Sequence, residues 1–235
     1  MVKVDDVYQK VLALANKEQR GYITPQDFNL FASQAQLEIF EQYFYDLNQA
    51  RKVQGNDTVV ADIDDMLEYK TQIFEKSLSL IQNPNALVTV GNGKQLPQDL
   101  YRLLHVSLNA SECELLNTRD FTNVKLLPLT RPTKPRPIAN IQAKVITCND
   151  GGADQAPSIL IYIKKPAKPN WTYVVVNKKA MYNPNAQTLD FELHASEEIQ
   201  LVNKILKLSG LAIKQNDVAM AGGTMESLIN QQKKI

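Results

Sequence analysis

Thr24-Pro25-Gln26-Asp27-Phe28 opens the stretch on which the fold turns. The chain then runs Asn29-Leu30-Phe31-Ala32-Ser33-Gln34-Ala35-Gln36-Leu37-Glu38-Ile39-Phe40-Glu41-Gln42-Tyr43-Phe44 without a helix breaker. Thr24 supplies an N-cap hydroxyl, Pro25 stands at the first helical position where its missing N–H costs nothing, and Asp27 puts a carboxylate at the positive end of the helix dipole. Phe28, Phe31, Ala32, Ala35, Ile39, Tyr43 and Leu47 keep one apolar stripe, and Leu30, Leu37, Phe40 and Phe44 add a second beside it. An apolar surface this wide needs neighbours on two sides. The second stripe is therefore either core or a contact with another subunit, and Phe40 and Phe44 are the candidates for that contact.

Working outward, Tyr8, Val11, Leu12 and Ala15 fall at i, i+3, i+4 and i+7, which predicts an amphipathic helix ending near Gly21. Downstream, Gly55-Asn56-Asp57 breaks the chain. Val59, Val60, Ile63, Met66, Leu67, Ile73, Phe74 and Leu78 then suggest a third helix, with Tyr69–Leu80 free to enter a strand instead. Of the 11 prolines only Pro25 precedes residue 84, and the others lie between Pro84 and Pro184, so the middle is built differently from the ends. There, short runs rich in Val, Ile and Tyr alternate with turn residues. Ala86–Val90, Leu103–Leu108, Ile141–Cys148, Ser158–Lys164 and Trp171–Val176 read as strands. Val145–Cys148 and Ile159–Tyr162 look like an antiparallel pair across the Asn149-Asp150-Gly151-Gly152 loop, and Arg131–Pro137 like an extended, polyproline-like connector. Helix resumes around Ala195–Glu198 and is expected to end at Gly210. After Asp217 the chain is poor in core-forming residues and reads as a tail that orders on a partner.

The fold class expected is α+β: a helical bundle formed from both chain ends (residues 1–82 plus 195–214), an inserted antiparallel β domain (83–194) and a C-terminal tail (215–235).

Lys and Arg total 26 against 25 Asp and Glu, a formal charge of +1, so nothing pulls the whole chain toward nucleic acid or an acidic membrane. The apolar runs are far shorter than the roughly 18 residues of a spanning helix, and Asp5 and Asp6 stand where a signal peptide needs an apolar core. A soluble protein without a membrane partner is expected. Cys113, Cys148, His105 and His194 show no metal-ligand spacing, so no metal or cofactor is expected, and the two cysteines read as reduced thiols. Gly91-Asn92-Gly93 is a turn rather than a phosphate loop. Glu112, Glu114 and Asp120 are the carboxylates from which a glycan hydrolase would have to be built, but they form no specific signature, and no enzyme is expected. Lys164-Lys165-Pro166-Ala167-Lys168-Pro169-Asn170-Trp171 is basic and ends in an aromatic, which supports an alternative function as a nucleic-acid-binding module.

Gly21–Phe44 resembles virion proteins of tailed bacteriophages, including short-tailed ones of the crAss-like group. Leu96-Pro97-Gln98-Asp99-Leu100-Tyr101-Arg102, Tyr162–Trp171 and Asp190–Gly210 are similar, in that order, to the layout of head–tail connector, or adaptor, proteins. The resemblance implies helices from both ends enclosing a β domain, and a homo-oligomeric ring, commonly a dodecamer, beneath the portal. Its implied partners are the portal protein, other tail or ring proteins, and genomic DNA passing through the channel without being read. The implied location is the head–tail junction of the virion, reached after assembly in the host cytoplasm. Adaptors of this kind insert a C-terminal tail into the portal, and Met225, Leu228 and Ile229 are the matching anchors here.

Overall fold

The Thr24 hydroxyl accepts the Asp27 N–H at 3.2 Å and donates to the Asp27 carboxylate at 2.6 Å, and the Phe28 N–H reaches the Thr24 carbonyl at 2.9 Å. The long helix therefore starts at Pro25, where its sequence places it. The computed structural model describes residues 1–17, 23–52, 58–185 and 187–212, together with Thr224 and Ser227. The expected helix end at Gly21, the break at Gly55-Asn56-Asp57 and almost all of the tail lie outside the described residues.

In chain order the helices and strands are α1 (Val4–Lys17), α2 (Pro25–Lys52), α3 (Thr58–Gln72), β1 (Glu75–Ser79), β2 (Thr89–Val90), β3 (Gly93–Gln95), β4 (Leu100–Leu108), β5 (Ser111–Glu112), β6 (Glu114–Leu116), α4 (Thr118–Leu126), β7 (Ile138–Gln142), β8 (Val145–Asn149), β9 (Ile159–Lys164), β10 (Tyr173–Val176), β11 (Lys179–Tyr182) and α5 (Glu198–Ala212). The class is α+β. The chain divides into two units, one made of Met1–Ile73 with Pro166–Ile235 and the other of Phe74–Lys165. The β-rich unit thus begins earlier than residue 83 and ends well before residue 194, and β10 and β11 belong with the helices.

In the first unit α2 packs on α3 and α5, and α1 packs on α5. Phe28, Ala32, Ala35, Ile39, Tyr43 and Leu47 form the buried stripe of α2, and Val4, Val7, Tyr8 and Val11 that of α1. Each fully buried Phe or Ile contributes on the order of 2 kcal/mol. α5 buries Leu201, Val202, Ile205 and Leu206, follows a 3-10 turn at Ala195–Glu197, and passes through Gly210 to Ala212 instead of stopping there. Lys70 at the end of α3 and Glu197 in that turn form a buried ion pair at 2.6 Å, linking segments 127 residues apart.

In the second unit a four-stranded sheet in the order β1-β9-β4-β5 and a five-stranded sheet in the order β2-β3-β8-β7-β6 share one core, with Val106, Leu108 and Leu160 from the first and Ala139, Ile146 and Cys148 from the second. Phe74–Leu80 took the strand alternative: after α3 ends at Gln72, β1 pairs with β9 from Glu75↔Ile163 to Ser79↔Ile159. The sheets are not purely antiparallel as expected, because β6 and β7 run parallel, with α4 in the connection between them. The expected β8–β9 pair does not form either, since the two strands lie in different sheets. Ile141–Cys148, expected as one strand, is broken at Ala143-Lys144, whose φ values of 50° and 62° make a two-residue left-handed turn between β7 and β8. Arg131–Pro137 is not an extended connector: Thr133 and Arg136 exchange both backbone hydrogen bonds, at 3.2 and 2.9 Å, around a turn.

Candidate assembly surface

Asn29 and Gln36 lie two turns apart on α2, so their amides face the same way. The Asn29 amide donates to the Asn170 side chain at 3.1 Å and to the Trp171 carbonyl at 3.2 Å, and its oxygen accepts the Trp171 N–H at 2.8 Å. Buried Gln36 donates to the Ala167 carbonyl at 2.7 Å and accepts the Glu192 N–H at 3.2 Å, while the Glu192 carboxylate accepts the Ala167 N–H at 3.0 Å. These bonds tie Ala167–Trp171 down along the helix as a strap. Trp171 is 1% exposed, donates its indole N–H to Asp5 at 2.9 Å, and packs against Tyr8 at 4.1 Å. Its ring has no face left for a nucleic-acid base, which removes the aromatic element from the basic-loop alternative.

The strap leads into β10 and β11. The pair is a ribbon of two strands around Asn177-Lys178, with φ values of 50° and 64°. At its base Tyr173 and Tyr182 stack on Trp171 at 5.7 and 5.9 Å. Partners directly opposite in an antiparallel pair point to the same side. One face therefore carries Tyr173, Tyr182, Val175 and Ala180, and the other Val174, Met181, Val176 and Lys179. Val174, Val175, Val176 and Met181 are 46%, 64%, 45% and 56% exposed. A two-stranded ribbon is marginal on its own in water. This one is anchored at one end by aromatics and bears exposed aliphatic side chains on both faces. A second exposed apolar feature is in the other unit, where Leu126 ends α4 and Leu127 and Leu129 follow it, the last fully exposed.

The residues expected to make the subunit contact sit elsewhere. Phe40 is fully buried within the chain itself, so the core reading holds for it and it offers no surface. Phe44 is half-buried and packs edge-on against Phe40 at 4.9 Å, so a charge there disturbs the fold before it tests an interface. Of the second stripe only Leu30 is well exposed. Met225, Leu228 and Ile229 lie outside the described residues.

The carboxylates expected for a hydrolase are dispersed in separate local contacts: Glu112 faces His105 Nδ1 at 3.2 Å, Glu114 pairs with Arg136 at 3.2 Å, and Asp120 takes part in the Asn117 cap of α4. His194 caps the 3-10 turn through the Ser196 N–H at 3.2 Å. Cys113 and Cys148 are free, buried and side by side. Cys148 shares its S–H with Cys113, which keeps Cys148 protonated and lowers the Cys113 thiol below its ordinary value against the opposing effect of burial. Among the described residues no helix is long and apolar enough to cross a membrane.

Neither a family model nor a curated protein matches this sequence.

Proposed function

We propose that the chain is a structural virion protein of a tailed bacteriophage, a head–tail connector whose copies form a ring against the portal and continue the DNA channel. In this reading the helices of both chain ends make the bundle that carries subunit contacts, and the tail with Met225, Leu228 and Ile229 engages the portal. The observation that carries the reading is the β10–β11 ribbon, whose aliphatic side chains lie bare on both faces although its base is fixed by Trp171. A ring supplies what such a ribbon lacks, because in a heterologous contact one face of each copy is covered by a different face of the next. The likeness of Gly21–Phe44 to virion proteins of tailed bacteriophages, and of Asp190–Gly210 to head–tail connector proteins, supports the same reading. The test is negative-stain electron microscopy of this protein mixed with portal rings of the same virus. An added ring at the tail-facing end of the portal is expected; bare portals at saturating concentration overturn the proposal.

A further inference from the structure

The ribbon also has a charge pattern. From Trp171 to Leu189 the chain contains no acidic residue, and Lys178 and Lys179 stand together at the tip, both exposed. The opposite end is acidic. The Val4 N–H donates to Asp190 at 2.9 Å, Val2 bridges Phe191, and Asp5 holds the Trp171 indole, so Asp5, Asp6 and Asp190 collect beside the ribbon's base. Burial, and then the charges of Asp190, Asp5 and Asp6, push the Tyr182 hydroxyl above its ordinary pKa. Even with Lys3 and the Met1 amino group counted, three carboxylates against two ammonium groups leave the base negative.

Four residues of strand separate tip from base, a span of about 13 Å. The two lysines are therefore held away from the carboxylates of their own chain. Complementary charges at opposite ends of one apolar element match copy to copy, tip to base. We propose that the ribbon of one copy docks on the base of the ribbon in the next, Lys178 and Lys179 meeting Asp5, Asp6 and Asp190 while Val174, Val176 and Met181 are covered. The occupant is a second copy of this chain, and the contact is heterologous. The inference rests on the ring reading and assigns the faces that form it.

Carbodiimide joins an ammonium to a carboxylate only where the two touch. A concentrated equal mixture of nitrogen-15-labelled and unlabelled protein is to be coupled, digested and read by mass spectrometry. Expected are peptides joining Lys178 or Lys179 to Asp5, Asp6 or Asp190, about half of them carrying one labelled and one unlabelled partner, the statistical share for contacts between molecules. The absence of such peptides, or their occurrence only within one label, overturns the docking.

Charge reversal is the second arm. Lys178→Glu with Lys179→Glu, and separately Asp6→Lys, change exposed residues and are expected to keep the far-ultraviolet circular dichroism of the parent. The Lys178→Glu, Lys179→Glu variant alone is expected to lose at least about tenfold in oligomer measured by sedimentation, because like charges then meet, and Asp6→Lys alone to lose less, because Asp5 and Asp190 still face the lysines. Mixing the two variants is expected to restore part of it, since Lys178 and Lys179 of the Asp6→Lys variant then meet an unchanged base in the other. Rings that persist unchanged in both variants overturn the docking and leave the ring reading standing. Crosslinked species that stop at a closed dimer overturn the ring reading itself.

Discussion

Replacing Lys70 by Met leaves Glu197 as a carboxylate in a site where its side chain is 1% exposed and its partner had been 2.6 Å away. Removing one member of a buried ion pair costs about 3–5 kcal/mol, because the survivor keeps its desolvation penalty and loses its counter-charge. For a unit of this size each kcal/mol moves the melting temperature by roughly 2–4 °C, so a fall of roughly 6–20 °C is expected. Glu197→Leu strands the Lys70 ammonium and is expected to cost a similar amount. The double variant Lys70→Met, Glu197→Leu removes both charges and is expected to lie within about 1 kcal/mol of the parent, far from the sum of the singles. The pair ties α3 to the turn that starts α5, so the loss belongs to the unit containing both chain ends. Thermal and urea unfolding of the four proteins decide the matter. Single variants within about 1 kcal/mol of the parent, or a double variant as damaged as the two singles combined, refute the reasoning.

Gly93→Ala is expected to destabilise the β-rich unit by about 3 kcal/mol in urea unfolding, because the added methyl would sit 2.5 Å from the Ile146 carbonyl oxygen and 2.8 Å from a Val145 methyl. Gly91→Ala, where φ is +59° and the space is open, is expected to cost only about 1 kcal/mol, and a reversed order of the two contradicts the close packing of β3 on β8. Burial, with the charge of Asp99 and its hydrogen bond, pushes the Tyr162 hydroxyl up to about 12. Stability from this group is thus present below the ordinary tyrosine value of about 10 and is lost as pH rises from there through about 12. Tyr162→Phe is expected to flatten the alkaline limb of a stability-against-pH curve over that window, and an unchanged limb contradicts the assignment.

Helix starts were legible because their chemistry is local: Thr24 and Pro25 cap α2, and His194 with Ser196 begins the turn before α5. Tight turns were less legible. Asn109-Ala110, Ala143-Lys144 and Asn177-Lys178 all adopt left-handed pairs without a glycine, and Ala143-Lys144 carries no turn residue at all, so Ile141–Cys148 read as one strand. α4 was invisible to hydrophobic periodicity because Phe121 is the one residue it buries, and its signal lay instead in the Asn117 cap bonded to the Asp120 N–H at 2.9 Å. Strand partners also escaped, because β8 and β9 are near in sequence but each is completed by strands from farther away. The candidate surface was misplaced for a related reason. An aromatic count on α2 cannot distinguish Phe40, enclosed by its own chain, from Val175, whose short strand pairs with β11 alone among the described residues. Trp171 anchors the ribbon and does not reach outward.

Electron microscopy of the purified chain at high concentration tests ring assembly most directly. Closed rings in which every β10–β11 ribbon rests on the adjoining copy are the predicted result. Single molecules, or rings in which Val174, Val176 and Met181 still face solvent, contradict it.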